Sequence, residues 1–460
     1  MGRLFGTDGV RGIVNEQLTP ELAMRLAQAI CTVFGEGSRF LIGRDVRSGG
    51  DMIVHSIVAG LASCGCKACY GGMAPTPAIQ YSVKINSDFD GGIMVTASHN
   101  PPMYNGIKVI ASDGVEIPRE LEREIEKVYF EGKFKCVSWK EALFSMEKYD
   151  RVIEEYISGI LDEVDYYKIR SKKFTVVIDA ANSVGSLTAP RVVRELGGKP
   201  ISLNAHLDPL FPGREPEPTP SSLQVASKLV KSVNADFGVG LDGDADRSIF
   251  IDDTGVVHWG DRTAVVLAPF LKNKHPDKPP VVHTGVSSSF FIENILKKYG
   301  ITVRWLKVGS VDIARTMMKE GSLLGFEENG GVMYPPHQPV RDGSMATALM
   351  MEFLAIEGGK LSEYYKVYPK TYTLKTKYPM PREQALKVVE AVKEKYIGYR
   401  MVTIDGVKVL LKQGEGWFLV RPSGTEPVLR LMIEALEESI VENIKKDIEN
   451  IIKEVVKAEI

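Results

Sequence analysis

The chain has 460 residues, 44% of them hydrophobic and 25% charged, with a formal net charge of −2. That balance belongs to an ordinary globular protein able to bury several cores, and it excludes a disordered chain or one with a global basic field for nucleic acid or an anionic membrane. No apolar run approaches the ~18 residues of a membrane span, and the start, Met1-Gly2-Arg3-Leu4-Phe5-Gly6, lacks both a signal-peptide apolar stretch and the Ser or Thr of a myristoylation site, so the expected location is the cytoplasm.

Over the first 360 or so residues, strand and helix signals alternate in three stretches that read as one plan repeated. In the first, Phe40-Leu41-Ile42-Gly43 is a strand followed by a polar loop and a helix near Met52–Ser63; Gly92-Ile93-Met94-Val95 is a later strand that ends in Thr96-Ala97-Ser98-His99-Asn100-Pro101. Between them, Cys64-Gly65-Cys66-Lys67-Ala68-Cys69 marks a passage from helix to strand. With no second Cys/His pair to complete a zinc set, these cysteines read as small core residues. The odd total of five (with Cys31 and Cys136) argues against a disulfide framework.

The second stretch has the strand Thr175-Val176-Val177-Ile178, the loop 179–185, a helix, and then Phe237-Gly238-Val239-Gly240-Leu241 running into Asp242–Arg247. The third has Pro280-Val281-Val282-His283, the loop 284–289, a helix, and Leu323-Leu324-Gly325-Phe326 running into Glu327–Gly331. Short apolar strands alternating with helices imply βαβ units with largely parallel sheets, which bind ligands at the carboxyl ends of their strands. Each copy has its unusual polar loop at such an end, so three loops are placed to converge on one cleft.

After about residue 366 the pattern becomes α+β. A strand near Tyr372–Thr376 precedes a helix near Arg382–Tyr396, then short strands at Arg400–Ile404, Val407–Leu411, Gly416–Arg421 and Leu429–Glu434, and a charged amphipathic helix, Glu438–Ala458. Asp405-Gly406 is a hairpin signal, and the module reads as an antiparallel sheet with helices on one face. The expected fold class is therefore α/β: three similar domains with mixed, largely parallel sheets, 1–150, 151–253 and 254–365, plus a C-terminal α+β domain, 366–460.

Four loops carry chemistry. Ser98 stands at a strand end in a tight polar turn, placed to act as a nucleophile or phosphoryl carrier; the Gly-x-Ser-x-Gly elbow of hydrolases is absent, and Asn and Pro would by themselves make the loop an ordinary turn. Asp242-Gly243-Asp244-Ala245-Asp246-Arg247 puts three carboxylates at alternate positions, where they repel one another unless a cation lies among them. All-oxygen ligation suits Mg²⁺ or Ca²⁺, but an EF-hand fails because its sixth position is Arg247 and its twelfth Asp253. Arg247 is placed to neutralise a transferring phosphoryl group.

Glu327-Glu328-Asn329-Gly330-Gly331 offers acceptors and donors for sugar hydroxyls, and is otherwise a plain post-strand loop. Arg421-Pro422-Ser423-Gly424-Thr425-Glu426-Pro427, with Arg430 beyond, is either a hairpin turn or a phosphate cradle of one arginine, two hydroxyls and inward-pointing backbone N–H groups. It lacks the Gly-Lys-Ser/Thr of a Walker loop. Phe5–Gly12 and Tyr104–Lys108 each add a cation near glycines, Arg11 and Lys108. Of the seven histidines none is given a role.

Together, and in this order, the loops resemble the α-D-phosphohexomutase family, which includes phosphomannomutase/phosphoglucomutase and phosphoglucosamine mutase; the resemblance runs from Gly6 to Arg430. It implies a four-domain enzyme around a central cleft in which Ser98 is the phosphoserine and, with its phosphate, holds Mg²⁺ together with Asp242, Asp244 and Asp246. Glu327 and Asn329 would read sugar hydroxyls. Arg421, Ser423, Gly424 and Thr425, with Arg430, would hold the phosphate that is not transferred, and Arg11, Lys108 and Arg247 would serve the transfer. The resemblance departs at Asn329 and Gly331, where many bacterial members have Ser and His, and this leaves the sugar open.

The expected reaction interconverts hexose 1- and 6-phosphates through a 1,6-bisphosphate, which also acts as activator. One Mg²⁺ per chain is expected, with phosphomannomutase/phosphoglucomutase the leading activity and phosphoglucosamine mutase the alternative. Lys108 is the candidate general acid or base, a role that needs a pKa lowered by burial or nearby cations. The partners are phosphosugars, with neither nucleic acid nor membrane, and a homo-oligomer is left open. A serine-dependent metallophosphatase would instead release inorganic phosphate steadily, and a sugar-phosphate sensor or Ca²⁺-binding module would tolerate Ser98→Ala.

Overall fold

The computed structural model describes residues 4–6, 8–141, 146–424 and 426–457. The fold is α/β, with mixed, largely parallel sheets in the first three segments and an antiparallel sheet in the last. The chain divides into two compact units: Met1–Gly260 with Asn329–Glu363, and Asp261–Glu328 with Tyr364–Ile460.

In the first unit, one sheet orders its strands Val10–Ile13, Tyr104–Ala111, Gly91–Val95, Arg39–Arg44, Lys67–Met73 and Met146–Lys148. Gly91–Val95 is apolar and buried at every position, as a strand covered on both faces must be. It runs parallel to Arg39–Arg44 and antiparallel to Tyr104–Ala111, with Met94 opposite Lys108. The helix Pro20–Phe34 begins at Thr19, whose hydroxyl accepts from the Leu22 N–H at 3.2 Å, with Pro20 at the first helical position. It buries Ala23, Leu26, Ala27 and Ile30, the i, i+3, i+4, i+7 stripe of a core-facing helix.

The second sheet orders Ser248–Ile251, Phe237–Leu241, Thr175–Asp179 and Lys199–Leu203, parallel except for the edge strand Ser248–Ile251. The hairpin Val332–Tyr334 and Gln338–Arg341, followed by the helix Gly343–Glu357, also belongs to this unit.

The second unit contains the parallel strands Val281–Gly285, Thr302–Leu306 and Leu324–Phe326. It also contains the antiparallel sheet Tyr372–Pro379, Val428–Ala435, Gly416–Pro422, Val407–Leu410 and Arg400–Val402. Val407, Val409, Phe418, Val420, Leu431 and Ile433 form a single core with Val388 and Val392 of helix Arg382–Lys395 and Ile448 and Ile451 of helix Glu438–Lys457. Both helices therefore share that core with the sheet.

The cysteines depart from expectation. Cys31 and Cys66, 35 residues apart, form a disulfide, leaving Cys64, Cys69 and Cys136 free. An odd count excludes only a fully paired set. One bridge forms here because helix Pro20–Phe34 lies beside the turn between helix Gly50–Ser63 and strand Lys67–Met73.

Candidate active site

The site in the first unit is built at the carboxyl ends of three strands, where parallel sheets leave backbone and side chains facing outward. Strand Gly91–Val95 ends in the Ser98 loop. Ser98 has φ 51°, a left-handed conformation that a serine holds only under constraint. The constraint is visible. The Ser98 N–H donates to Thr96 Oγ1 at 2.9 Å, and the Thr96 hydroxyl donates to Asp45 at 2.6 Å.

Arg47, from the loop after strand Arg39–Arg44, donates to the carbonyls of Ser98 (2.7 Å), Asn100 (2.5 Å), Pro101 (2.8 Å) and Tyr104 (3.0 Å). Its side chain has no exposed surface, and it pairs with Asp45 at 3.2 Å. One guanidinium thus satisfies four carbonyls of a sharply bent loop, which the planar five-donor fork of arginine suits and an ammonium does not.

Strand Phe237–Leu241 ends in the carboxylate loop. The Ser98 hydroxyl donates to Asp242 Oδ2 at 2.7 Å. The approach is close: a Cβ on Gly243 would sit 2.4 Å from the Ser98 carbonyl oxygen, so this position requires glycine. Asp242, Asp244 and Asp246 are buried, and each offers an oxygen within 4.8 Å of the others. Asp244 Oδ1 and Asp246 Oδ1 are buried with no hydrogen-bond partner. Burial first, then the charges of Asp246 and Asp244, pushes the Asp242 carboxyl well above its usual range. Three hard oxygen donors, two of them carrying unpaired oxygens and one carrying an unfavourable charge, fit a divalent cation such as Mg²⁺.

Lys108 reaches this loop from strand Tyr104–Ala111. Its ammonium lies 3.0 Å from Asp244, 3.1 Å from Asp246 and 3.1 Å from Asp8. A lowered pKa was the condition for acid–base work, and the structure reverses it. Burial alone would lower it, but Asp244, Asp8 and Asp246 outweigh burial and hold Lys108 as a cation well above its ordinary value. On Asp244, burial is likewise outweighed, by Lys108, Thr76 and Arg341, so that carboxyl is held below its usual range. Thr76 donates to Asp244 at 2.6 Å.

Arg341 pairs with Asp246 at 2.6 Å and with Asp8 at 2.8 Å. Arg11 donates to Asn100 Oδ1 at 2.6 Å and pairs with Asp8 at 3.1 Å. The Arg247 backbone N–H caps Asp242 at 3.1 Å, and its guanidinium lies 3.2 Å from Glu217 and 4.0 Å from both Asp242 and Asp246. His99, beside Ser98, is kept neutral by burial and by Arg247, Arg11 and Arg341, which push its pKa well below the ordinary value. Asn329 joins this unit: the 329–331 turn runs along the end of the carboxylate loop, with the Ser248 N–H donating to the Gly330 carbonyl at 2.8 Å and Gly331 bridging to Arg247.

The other sequence-predicted residues lie in the second unit. Glu327 is buried at the end of strand Leu324–Phe326, and Glu328 pairs with Lys375. Arg421 closes strand Gly416–Pro422. Its Nε donates to Asp405 at 2.6 Å, and Asp405 also accepts from the Val308 N–H at 3.2 Å. Ser423 is buried, its Oγ accepting from the Glu426 N–H at 3.2 Å, and open space surrounds Gly424. Arg430 pairs with Glu426 at 2.9 Å. Thr425 lies outside the described residues.

Sequence reasoning missed Asp8, Arg47, Thr76 and Arg341. Asp8 sits in the same glycine-flanked motif as Arg11, and Arg47 in the polar loop after the first strand, so a signal existed for both. Thr76, at the start of a helix, and Arg341, at the end of a short strand, carried none.

The four successive segments match models of the phosphoglucomutase/phosphomannomutase α/β/α domains I (residues 2–135), II (154–255) and III (259–372) and of the C-terminal domain (376–451). The chain belongs to the α-D-phosphohexomutase family. It is a phosphohexomutase, an isomerase that works by intramolecular phosphotransfer. Among its relatives is a phosphoglucosamine/phosphogalactosamine mutase of Sulfurisphaera tokodaii, 50% identical over 98% of this chain and 100% of that one. Another is a phosphoglucomutase/phosphomannomutase of Thermococcus kodakarensis, 40% identical over 95% and 96%. A solved phosphoglucomutase/phosphomannomutase family protein from Burkholderia thailandensis shares the fold of this phosphohexomutase, with a TM-score of 0.85 at 24% identity over 98% of this chain and 97% of the other. Among the described residues no helix is long and apolar enough to cross a membrane.

Proposed function

We propose that this phosphohexomutase works through phosphorylated Ser98 and one Mg²⁺ held by Asp242, Asp244 and Asp246, and that its substrates are hexosamine phosphates. The observation that carries the reading is the 2.7 Å contact between the Ser98 hydroxyl and Asp242 at the head of a buried carboxylate triad. The choice of sugar rests on the full-length identity of 50% with the Sulfurisphaera phosphoglucosamine/phosphogalactosamine mutase, against 40% with the Thermococcus phosphoglucomutase/phosphomannomutase.

In the forward direction the phosphoryl group leaves Ser98 Oγ for the 6-hydroxyl of a hexosamine 1-phosphate. The P–Oγ bond breaks, a P–O6 bond forms, and the proton leaving O6 ends on Ser98 Oγ, which is left as a hydroxyl. The bisphosphate turns over, and its 1-phosphoryl group returns to Ser98 Oγ, leaving the 6-phosphate. A divalent cation bound at the triad supplies charge stabilisation to the phosphoryl oxygens.

Lys108 is fixed as a cation by its three carboxylates. It acts by charge, with Arg247 and Arg11, on the phosphoryl group in transit. Arg421, Ser423, Gly424, Thr425 and Arg430 grip whichever phosphate is not reacting, and Glu327 and Asn329 contact the sugar. A trace of bisphosphate keeps Ser98 phosphorylated.

The test is a coupled assay with glucosamine, glucose and mannose 1-phosphates, each primed with its bisphosphate, with and without chelator. Turnover is expected to be fastest on glucosamine 1-phosphate, to vanish with chelator and return with Mg²⁺, and to fall on the order of 10⁴-fold or more in Ser98→Ala. Inactivity on all three sugars, or steady release of inorganic phosphate from each, would sink the proposal. Faster turnover of glucose or mannose 1-phosphate would overturn the choice of sugar alone.

A further inference from the structure

After the helix Arg119–Glu131 the chain runs without regular structure along the carboxyl-terminal ends of the helices Pro20–Phe34 and Gly50–Ser63. Its backbone is tied there: the Lys135 N–H donates to Thr32 Oγ1 at 3.0 Å and the Val137 N–H to the Ser63 carbonyl at 3.1 Å. The Arg25 guanidinium lies 5.5 Å from the Phe134 ring. Between these ties, Cys136 is exposed and its sulfur lies 3.8 Å from that of buried Cys64. A disulfide is about 2.05 Å long, so roughly 2 Å of approach separates the thiol pair from a bond. Neither sulfur has a part in phosphoryl transfer. Helix Gly50–Ser63, 14 residues and so about 21 Å long, separates Cys64 from the Arg47 loop.

We propose that Cys64 and Cys136 are the site of a second, reversible disulfide, formed by exchange with a low-molecular-weight disulfide. The exposed Cys136 reacts first. Its thiolate attacks one sulfur of the small disulfide, whose S–S bond breaks, and one half leaves as a thiolate. Cys64 then loses its proton and attacks Cys136 Sγ, expelling the second half. Two protein thiols lose two protons and two electrons, and the small disulfide gains both to become two thiols. The order follows from access, and burial pushing the Cys64 thiol up to about 11 makes it the slower attacker. The bond joins positions 72 apart and fixes the 133–138 segment beside the Cys31–Cys66 bridge, which already ties helix Pro20–Phe34 to the turn after helix Gly50–Ser63. Cys69 takes no part: it is buried, accepts from Arg39 Nε at 3.1 Å, and faces Glu147 at 3.6 Å.

The experiment treats the full chain with oxidised glutathione, alkylates the free thiols in denaturant, and maps the peptides by mass. Alkylatable cysteines are expected to fall from three to one, with the Cys64 and Cys136 peptides joined, while mutase activity is unchanged. Cys64→Ser should stop at a single glutathione adduct on Cys136, and the exposed-site variant Cys136→Ser should leave Cys64 alkylatable. Persistence of all three thiols would overturn the proposal. So would a wild-type chain carrying glutathione on Cys136 beside a still-alkylatable Cys64, or a Cys64 peptide joined to Cys31 or Cys66.

Discussion

Replacing Arg47 by lysine separates charge from geometry. The guanidinium bonds four carbonyls, those of Ser98, Asn100, Pro101 and Tyr104, while also pairing with Asp45. An ammonium has three donors at one point and cannot span that set of four carbonyls and one carboxylate, so at least two of the five acceptors lose their partner. A hydrogen bond to a charged donor contributes ~1.5–3 kcal/mol, which makes the loss about 3 kcal/mol at the low end. If the loop relaxes by letting Ser98 leave its left-handed conformation, that energy measures the fraction of molecules with Oγ held against Asp242. At 1.36 kcal/mol per factor of ten, Arg47→Lys should lower kcat roughly 10²-fold. KM for the hexose phosphate should hold if, as proposed, Arg421 and its neighbours bind the other phosphate. The assay is the saturating coupled rate, with far-ultraviolet dichroism to confirm a folded chain. A folded Arg47→Lys variant with kcat within about threefold of the parent would refute the claim that this side chain sets the Ser98 loop.

Three further outcomes follow from single contacts. Gly243→Ala places a methyl 2.4 Å from the Ser98 carbonyl, a backbone atom that cannot swing away, and should cost on the order of 10²-fold in kcat, whereas Gly398→Ala, in open space, should leave the coupled rate unchanged. Asp405→Ala removes the partner that holds Arg421 Nε at 2.6 Å; KM should rise about tenfold with kcat nearly constant, Asp405→Asn recovering part of it, and an equal fall of both in the steady-state fit would count against the phosphate cradle. Cys31→Ala with Cys66→Ala opens a cross-link between positions 35 apart, a loop-closure contribution of about 4 kcal/mol, so calorimetry should show the first transition lowered by about 8 °C or more; an unchanged transition would mean the bridge does not constrain the unfolded chain.

Most strands that carry the site were legible because they are short apolar runs with a polar loop immediately after them: Phe237–Leu241 was read at its observed bounds, and Gly91–Val95 within one residue. Carboxylates at alternate positions directly after an apolar strand stand out in the sequence, so Asp242, Asp244 and Asp246 could be singled out as a group without tertiary information, and the structure does bring their oxygens together. Asp8 and Arg341 did. They are 333 residues apart and meet only because the hairpin ending in Arg341 returns to the first unit. The sign of the Lys108 shift was unreadable for the same reason. Burial and three carboxylates act in opposite directions, and the carboxylates come from Asp8, Asp244 and Asp246, at distant places in the chain. The Cys31–Cys66 bridge was misread because parity was used where proximity decides.

The charges around Ser98 explain why one side of the site should bind only with the other. Four largely buried carboxylates, Asp8, Asp242, Asp244 and Asp246, lie among four cations, Arg11, Lys108, Arg247 and Arg341, and within that set the formal charges cancel, with the half-exposed Glu217 beside Arg247 at its edge. A divalent cation alone leaves an excess of about +2, and a phosphoryl group on Ser98 alone leaves an excess of about −1.5 to −2. Together they restore balance. Even one pair of unit charges about 5 Å apart at an effective dielectric of ~20 interacts by about 3 kcal/mol, or roughly 10²-fold in affinity. Mg²⁺ titrated calorimetrically into the phospho-Ser98 protein should therefore bind at least about 10²-fold more tightly than into the dephosphorylated protein, with the ratio falling in Lys108→Met, where the cations are already one short. Equal affinity for the two forms would mean that phosphoserine and metal do not share this charge balance, and that the carboxylates answer to the lysine and arginines alone.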